Sequence, residues 1–312
     1  MTGFLLNSSD RTKPLDIDSW RAVSSYLPGT LLESIIRFPL RPTPWVELIE
    51  GTLLLSDISG FTRLSESLAQ AGKEGAERLT NLMNEYFHMV LDIATAYAGS
   101  NLKFGGDALL LLFQGPGHAG RAVATGLEMR RATQKFAFKL ENSRLHLNMT
   151  LGVHSDTFYF AVGGTPGQRM QHFILGQGVN QLAQLQASAT AGQFLATAKA
   201  LDLLKGVVIT EPQGDAYRII RLSKRVISLQ EATRTTKIPV TAQELLAYIP
   251  PPIVQGLQNQ GAAIAIEGEH RKVTIIFINL MGVNELLTES GTDALLNELQ
   301  TYLSDVIRLA HQ

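Results

Sequence analysis

A Gly-Gly-Asp turn between two apolar segments is the feature that most constrains how this chain folds. Residues 103–107, KFGGD, separate two strand-like segments, and such a turn predicts a β-hairpin. An earlier apolar run at 53–55 ends in DISG at 57–60, which is typical of a buried strand followed by a turn. Between them, apolar residues spaced three and four apart predict a long helix: Leu79, Leu82, Met83, Tyr86, Val90, Ala94 and Tyr97. The chain therefore begins its main domain with a strand, a helix and a hairpin.

The alternation of strands and helices continues to about residue 230. We predict helices over 117–138 and 178–189, and a half-buried strand over 145–153, where apolar residues alternate. Further strands are predicted at 158–162, 173–175, 207–209 and 217–222. The order β-α-β-β-α-β, with additions, predicts an α+β fold, an α/β sandwich of ferredoxin-like type whose sheet is covered by helices.

Sequence patterns divide the chain into four parts. Short helical segments broken by prolines make residues 1–48 a helical brace, and residues 49–230 form the main domain. A Pro-rich stretch makes residues 231–270 a linker. In residues 271–312 the pattern starts again, because VTIIFINLMGVNELL at 273–287 matches GTLLLSDISGFTRLS of the main domain with an offset of 222 residues. We interpret this last part as the start of a second, truncated copy of the domain.

Charge and cysteine content exclude several classes of protein. The 312 residues include 27 Lys and Arg against 28 Asp and Glu, so the chain has no basic field for a nucleic-acid backbone. Without cysteine it has no disulfide, zinc-thiolate site or thiol nucleophile. It also lacks a signal-peptide pattern and any apolar run near the roughly 20 residues of a membrane span. We expect a cytoplasmic protein, with peripheral membrane attachment left open.

Two carboxylates are expected to meet at one end of the predicted sheet. Asp57 closes the first strand and Asp107 lies in the hairpin turn, and the first and third strands of a β-α-β-β unit are antiparallel neighbours. Two carboxylates and a backbone carbonyl, such as that of Ile58, are hard oxygen ligands that suit Mg²⁺ or Mn²⁺. The structural alternative is an ordinary turn Asp and an ordinary hairpin. The pairing of the two motifs favours the metal site.

The turn after the first strand is suited to a phosphate group. Gly60, Phe61 and Thr62 open a helix, whose free backbone N–H groups and dipole favour a bound anion. Gly105 and Gly106 lack a Cβ and let the hairpin backbone approach a ligand closely. A phosphate site is therefore predicted beside the two carboxylates.

These segments resemble those of a known enzyme family. LLLSDISGFTRLSE at 53–66 and LKFGGDALLLLF at 102–113 are similar to the two signature segments of the class III nucleotidyl cyclases. The resemblance runs through residues 50–200 and returns at 273–287. Within the family, the brace, the FILGQGVNQLAQLQ segment and the restart are most similar to the tandem, soluble adenylyl cyclase type.

The resemblance implies roles for individual residues. Asp57 and Asp107, with the carbonyl of Ile58, would bind two divalent ions, Mg²⁺ or Mn²⁺. Nucleotide and phosphate contacts are implied for Gly60, Phe61, Thr62, Lys103, Gly106 and Asn180. In this family the site lies between two domains, one of which supplies the metals while the other reads the base and stabilises the transition state. The expected partners are therefore ATP or GTP and a complementary second cyclase domain, paired as in a dimer.

The chain departs from the family pattern in the second half of the site. Gln184 stands at the position of an Arg, Phe173 at that of a purine-reading Asp or Thr, and Thr150 where many members carry a basic residue. In the restart, Asn279 replaces the first metal-binding aspartate. The first domain is thus expected to keep the metal-binding half and to take the other half from the second domain.

The predicted function is conversion of ATP to cyclic AMP and pyrophosphate by the tandem, with two divalent ions. One alternative is a weak or inactive regulatory domain of the same fold that binds nucleotide or a small anion; Gln184, Phe173 and Thr150 favour it for this chain in isolation. A diguanylate cyclase, which also has Gly-Gly-Asp in a hairpin, is disfavoured because Ala108 and Leu109 follow where that class has Glu and Phe.

Overall fold

The computed structural model describes residues 17–39, 41–140, 143–223, 240–260 and 280–310. The strands in these ranges are β1 Trp45–Ser59, β2 Ser100–Gly105, β3 Ala108–Gln114, β4 Ala137–Leu140, β5 Ser143–His146, β6 Asn148–Thr165, β7 Arg169–Leu175, β8 Phe194–Ala196, β9 Val208–Gln213 and β10 Ala216–Leu222. The helices are α1 Ile17–Ser24, α2 Gly29–Arg37, α3 Phe61–Ala69, α4 Gly72–Ala96, α5 His118–Lys135, α6 Gln177–Ala187, α7 Ala198–Asp202, α8 Ala242–Leu246, α9 Pro251–Gln260, α10 Val283–Glu289 and α11 Gly291–Ala310. None of the helices in the described ranges is long and apolar enough to cross a membrane.

The main sheet is built around β1. This strand of 15 residues pairs along its whole length with β6 in the antiparallel direction, from Trp45 opposite Val162 to Ser59 opposite Asn148. The strand order is β2-β3-β1-β6-β8-β10-β9, and β7 pairs with the second half of β6. The first and third strands are antiparallel neighbours, as predicted.

Helices cover both faces of this sheet because successive residues of a strand point to opposite sides. Leu53 and Leu54 are both fully buried. Leu53 packs in the cluster that includes residues of α1, α2, α6 and α8, whereas Leu54 packs in the cluster formed with α3, α4 and α5. The predicted α+β architecture, with a sheet covered by helices, is confirmed. The main domain thus has two hydrophobic layers around one sheet.

Three local predictions differ from the structure. The residues predicted as separate strands at 145–153 and 158–162 lie mostly in the single strand β6, because its polar residues still pair with β1, as Asp156 does with Gly51. The helix predicted to reach residue 138 ends at Lys135, and the chain continues into the β4–β5 hairpin. The three-residue strand β8 was not predicted, since so short a segment has no period; its parallel pairing with β6 defines it.

The brace and part of the predicted linker form one layer on the sheet. Within the predicted linker, residues 240–260 carry α8 and α9, which pack in the same cluster as α1 and α2. The indole Nε1 of Trp20 donates a hydrogen bond to the carbonyl of Val240 at 3.2 Å. The predicted restart strand at 273–278 and Asn279 lie outside the described residues.

The two C-terminal helices pack against the β6–β7 hairpin. Leu287, Leu295 and Leu299 are buried in a cluster with Ala161 of β6, and Phe173 of β7 packs at its edge. Apolar contact therefore joins α10 and α11, which lie in the predicted second copy, to the main sheet.

Candidate active site

The carboxyl groups of Asp57 and Asp107 meet at the end of the sheet. The last residue pair between β1 and β3 is Ser56 with Leu109, and Gly105 pairs with Ala108 across the hairpin, so the next residue of β1 lies beside the turn. The two half-buried side chains are within hydrogen-bonding reach of each other. The pairing that the strand order predicted is therefore present.

The surroundings of this pair oppose its negative charge. Burial raises the pKa of Asp57, and the neighbouring Asp107 raises it further, against a backbone hydrogen bond from Ile58 that lowers it. Burial also raises the pKa of Asp107, against hydrogen bonds from its own backbone and from Asp57 that lower it. Two carboxylates that repel each other in a partly desolvated site are stabilised by a cation between them.

A buried tyrosine lies beneath the pair. Tyr86 of α4 is 2% exposed, and its hydroxyl hydrogen-bonds with Thr133. Burial raises its pKa, and the charges of Asp57 and Asp107 raise it further. In the sequence Tyr86 is predicted only as an apolar position of the helix, and its hydroxyl was the one signal of a polar contact there.

The turn between β1 and α3 presents backbone N–H groups next to the carboxylates. Gly60 has a φ of 87° and ψ of 7°, and it precedes α3 without any side-chain cap. A Cβ at Gly60 would have no atom within 4 Å, so a larger residue would fit in the space. Glycine is required there because the backbone is left-handed. The first N–H groups of α3, including those of Phe61 and Thr62, are free to bind an anion. In the hairpin, Gly106 is left-handed too, with a φ of 74°.

The donors at this end of the sheet fit a hard divalent cation. The side chain of Ile58 is 2% exposed and packs in the core, so only its backbone can contribute to the site. In the described ranges no three His, Cys, Asp or Glu side chains converge on one point. Asp57, Asp107 and a backbone carbonyl would therefore supply part of a shell that phosphate oxygens complete, which matches the chemistry of Mg²⁺ and Mn²⁺.

Two predicted nucleotide contacts lie away from the carboxylates. Lys103 is exposed on β2. Burial lowers the pKa of His172 on β7 and the charge of Lys103 lowers it further, against the hydrogen bond that His172 Nε2 donates to the carbonyl of Leu102 at 2.9 Å. Asn180 is exposed on α6. Within the described residues neither Lys103 nor Asn180 hydrogen-bonds to the carboxylate pair. Of the predicted site residues, those at the end of β1 and in the two turns thus form the carboxylate group (Asp57, Ile58, Gly60, Phe61, Thr62, Gly106 and Asp107), whereas Lys103 lies on β2 and Asn180 on α6.

The positions that depart from the family pattern have defined surroundings. Thr150 lies directly opposite Asp57 in the sheet, is 7% exposed, and accepts a hydrogen bond from the Gln186 side chain at 2.7 Å. Gln184 is exposed on α6. Phe173 packs in the apolar cluster of α10 and α11. At Phe173 an apolar contact with the C-terminal helices therefore stands where the family pattern has a polar base reader.

Comparison with known proteins agrees with this fold. The family model for the adenylate and guanylate cyclase catalytic domain matches residues 48–221. This chain belongs to that family, and it contains a nucleotidyl cyclase catalytic domain.

Individual relatives cover the chain only in part. Adenylate cyclase type 10 of Oryctolagus cuniculus is 35% identical over 94 residues, which are 30% of this chain and 6% of that protein. Adenylate cyclase 1 of Rhizobium meliloti (strain 1021) is 26% identical over 206 residues, 62% of this chain and 30% of that protein. The structure of a bacterial light-regulated adenylyl cyclase aligns with a TM-score of 0.52 at 23% identity, over 68% of this chain and 64% of the other, which shows the fold alone. The chain matches less than a third of the length of these two curated relatives.

Proposed function

We propose that this chain supplies the metal-binding half of a class III cyclase that converts ATP to cyclic AMP and pyrophosphate. The observation that carries the proposal is the convergence of Asp57 and Asp107 at the end of β1, inside a cyclase catalytic domain. The similarity to adenylate cyclases of two organisms favours ATP over GTP as the substrate.

Each residue of the carboxylate group has a distinct role in this proposal. Asp57 and Asp107, with the Ile58 carbonyl, hold two Mg²⁺ or Mn²⁺ ions. When bound, such ions lower the pKa of the ribose 3′ hydroxyl and neutralise charge on the triphosphate. The N–H groups of Phe61 and Thr62 bind the terminal phosphates, and Gly106 keeps the hairpin backbone clear of the nucleotide. The domain thereby fixes the reacting groups in line, which is the main contribution of a protein to phosphoryl transfer.

The groups that complete the site are proposed to come from a second cyclase domain, which begins in residues 271–312. The first domain has Gln184 and Phe173 at the two positions where an Arg and a base reader are expected. In the C-terminal segment, Gly282 precedes α10 as Gly60 precedes α3, and both glycines are left-handed. This repetition of local structure supports the duplication that the sequence predicts.

A regulatory domain without turnover is the second candidate. The packing of Phe173 against α10 and α11 favours a regulatory domain for this chain alone. This apolar contact lies at the position where the family has a base-reading residue. Such a domain would still bind a metal–nucleotide complex at the carboxylates. Measurement of turnover distinguishes the two candidates.

The test is cyclic nucleotide production with Mn²⁺ and ATP, and separately with GTP, by the longest available form of the protein. Asp57→Asn and Asp107→Asn are each expected to lower the rate by at least about 100-fold, since each removes charge stabilisation in the transition state. Asp215→Asn is the matched control, because Gly214-Asp215 forms the β9–β10 turn as Gly106-Asp107 forms the β2–β3 turn, with a φ of 61° at Gly214. Full activity in either aspartate variant of the pair contradicts the metal assignment.

A further inference from the structure

A buried histidine lies on β6, on the face of the sheet that α6 covers. His154 is 0% exposed and pairs across the sheet with Leu53. Its Nε2 lies 3.3 Å from Oδ2 of Asp156, and its Nδ1 lies 2.9 Å from the hydroxyl oxygen of Thr197, the residue that caps α7. The imidazole is therefore held between a carboxylate of its own strand and the cap of a helix.

These contacts define the neutral form of the imidazole. Nε2 carries a proton, because an ionised carboxylate oxygen can only accept a hydrogen bond. Nδ1 then accepts the hydroxyl proton of Thr197, whose oxygen in turn accepts the backbone N–H of Ala200 at 3.4 Å. Both ring nitrogens of His154 thus have partners while the ring is uncharged, and the same hydroxyl caps α7.

A lysine shares the same carboxylate oxygen. Lys199 Nζ, on α7, donates to Asp156 Oδ2 at 2.8 Å, the atom that also accepts from His154. Burial raises the pKa of Asp156, but hydrogen bonds from Lys199, from the Thr157 N–H and from His154 lower it by more, so the carboxyl group is ionised. The Lys199 side chain is 59% exposed. Its ammonium can therefore leave for water, whereas the enclosed imidazole cannot.

The charges that act on His154 come from these two side chains. Burial lowers the pKa of His154 and the charge of Lys199 lowers it further, against the hydrogen bond and the charge of Asp156, which raise it. Helix α6 and strand β8, which pack against β6, contain no ionisable residue, and the β1 residue that pairs with His154 is Leu53. A proton taken up by His154 therefore changes the balance between Asp156 and Lys199.

We propose that His154, Asp156 and Lys199 form an acid-sensitive switch, in which a proton taken up by His154 displaces Lys199 from Asp156 and loosens α7. The ring gains its proton at Nδ1, so the Thr197 hydroxyl must turn from donor to acceptor. Asp156 Oδ2 then faces an imidazolium and an ammonium together, and the exposed ammonium is the cation that leaves. Both side-chain contacts between the start of α7 and β6 change in this one step. The inference goes beyond the proposed function, since the switch does not depend on nucleotide turnover.

Helix α6 connects the switch with the end of the sheet that carries the candidate active site. A Cβ on Gly178, in the first turn of α6, would lie 2.7 Å from His154 Nε2 and 3.0 Å from Asp156 Oδ2, so the helix rests directly on their hydrogen bond. In its last turn, Gln186 donates to Thr150, which lies opposite the first aspartate of the carboxylate pair. A rearrangement at His154 therefore acts on a helix that reaches the candidate active site.

The imidazole itself reports the switch, in an NMR pH titration of the whole chain. We expect His154 to titrate below the ordinary histidine value of 6.5. Lys199→Gln should raise the pKa of His154, because it removes a repelling charge, and Asp156→Asn should lower it. Lys205→Gln is the matched control: Lys205 follows α7, is 80% exposed and pairs with Asp202, so its loss should leave the titration of His154 unchanged.

Hydrogen exchange of the Ala200 N–H measures the loosening of α7. The closed state binds fewer protons than the open state between pH 6.5 and the lowered pKa of His154, so protection is lost as the pH falls through this window. Uptake of one proton gives a loss of up to about tenfold per pH unit, after correction for the intrinsic exchange rate. His154→Gln should abolish this dependence. His172→Gln, which removes another histidine whose pKa is lowered by burial, should retain it.

Three results would overturn the proposal. One is a His154 ring that stays neutral until the whole protein unfolds. The second is a titration of His154 that Lys199→Gln does not move, and the third is Ala200 protection that stays constant through the titration. All three are measured with His154 in place, so a failure of His154→Gln to fold would leave the test intact.

Discussion

Gly60 and Gly282 have the same left-handed backbone conformation, with φ of 87° and 79° and ψ of 7° at both. Each is the residue before a short helix, and each accepts the hydrogen bond of the residue four positions on, Leu64 or Leu286. A Cβ at either glycine would meet no atom within 4 Å. The two turns therefore share one geometry, and Gly282, which follows Asn279 at the spacing at which Gly60 follows Asp57, is a matched control for Gly60.

Alanine at the two glycines should separate backbone strain from function. Gly60→Ala and Gly282→Ala are each expected to lower stability by about 1–2 kcal/mol, the cost of a left-handed non-glycine residue. We expect Gly60→Ala alone to reduce cyclase activity, by roughly 10- to 100-fold, because it displaces the N–H groups of Phe61 and Thr62 from the phosphates. Thermal melting and initial rates measure the two effects. Equal activity losses in both variants would argue against a phosphate site at Gly60.

Removal of one carboxylate should stabilise the metal-free protein at neutral pH. Burial and mutual repulsion raise the pKa of Asp57, so the folded state holds a proton up to higher pH than the unfolded state does. Stability therefore falls as the pH rises from the ordinary Asp value of 3.8 through the raised pKa, and the full penalty is present at neutral pH. Asp57→Asn should therefore raise the melting temperature at neutral pH, because it removes the charge that the folded state disfavours.

The control for this stability prediction is the same change at Asp215. That exposed aspartate lies in an equivalent turn, and Asp215→Asn should leave the melting temperature unchanged. The gain at Asp57 should disappear as the pH is lowered through the raised pKa. A loss of stability in Asp57→Asn at neutral pH would mean that the carboxylate is held by contacts other than those described.

Metal affinity should depend on pH over a range above that of ordinary carboxylates. Both members of the pair must lose their protons to bind a divalent ion, and the pKa of each is raised. Mn²⁺ affinity is therefore expected to fall with decreasing pH, beginning at a pH above the ordinary Asp range. The dependence is measured by titrating the protein with Mn²⁺ at several pH values and following the rise in melting temperature. Affinity that stays constant down to about pH 4 would place the metal elsewhere.

Residues 1–312 alone should be a poor cyclase. Gln184 cannot neutralise charge on the α-phosphate as an Arg would, and two copies of the first domain lack the same group. Loss of one preorganised stabiliser of this kind lowers the rate by about 100- to 1000-fold. Specific activity with Mn²⁺ and ATP should be compared between residues 1–312 and a chain with a complete second domain. Equal values would refute the division of the site between two domains.

Sequence patterns predict the approach of Asp57 and Asp107 because each residue lies in a turn with a local signal. Glycines mark the turns that contain Asp57 and Asp107, because few backbone conformations require glycine. The antiparallel pairing of β1 and β3 then brings the two aspartates together. The continuity of β6 was not predictable from alternation, because its polar residues 155–157 interrupt the apolar pattern while the backbone pairing continues. These boundaries depend on a partner strand that is distant in sequence.

The contact between the N-terminal helices and the predicted linker could not be predicted. The bond from Trp20 to Val240 joins residues 220 positions apart, and neither residue has a local pattern that identifies the other. In the sequence Phe173 began a predicted strand and stood at a position where the resemblance implies a base reader. Its packing against α10 and α11 gives a physical reason for an apolar side chain there.

Strand β1 connects the contact with α10 and α11 to the Asp57–Asp107 pair as one uninterrupted, rigid element. At one end Trp45 packs with the brace and Val46 with the cluster of α10 and α11, and at the other end Asp57 faces Asp107. The 15 residues span roughly 50 Å without a break in their pairing to β6, so no hinge lies between the ends. We therefore expect any displacement of the docked helices to reach the carboxylates as a tilt of the whole strand.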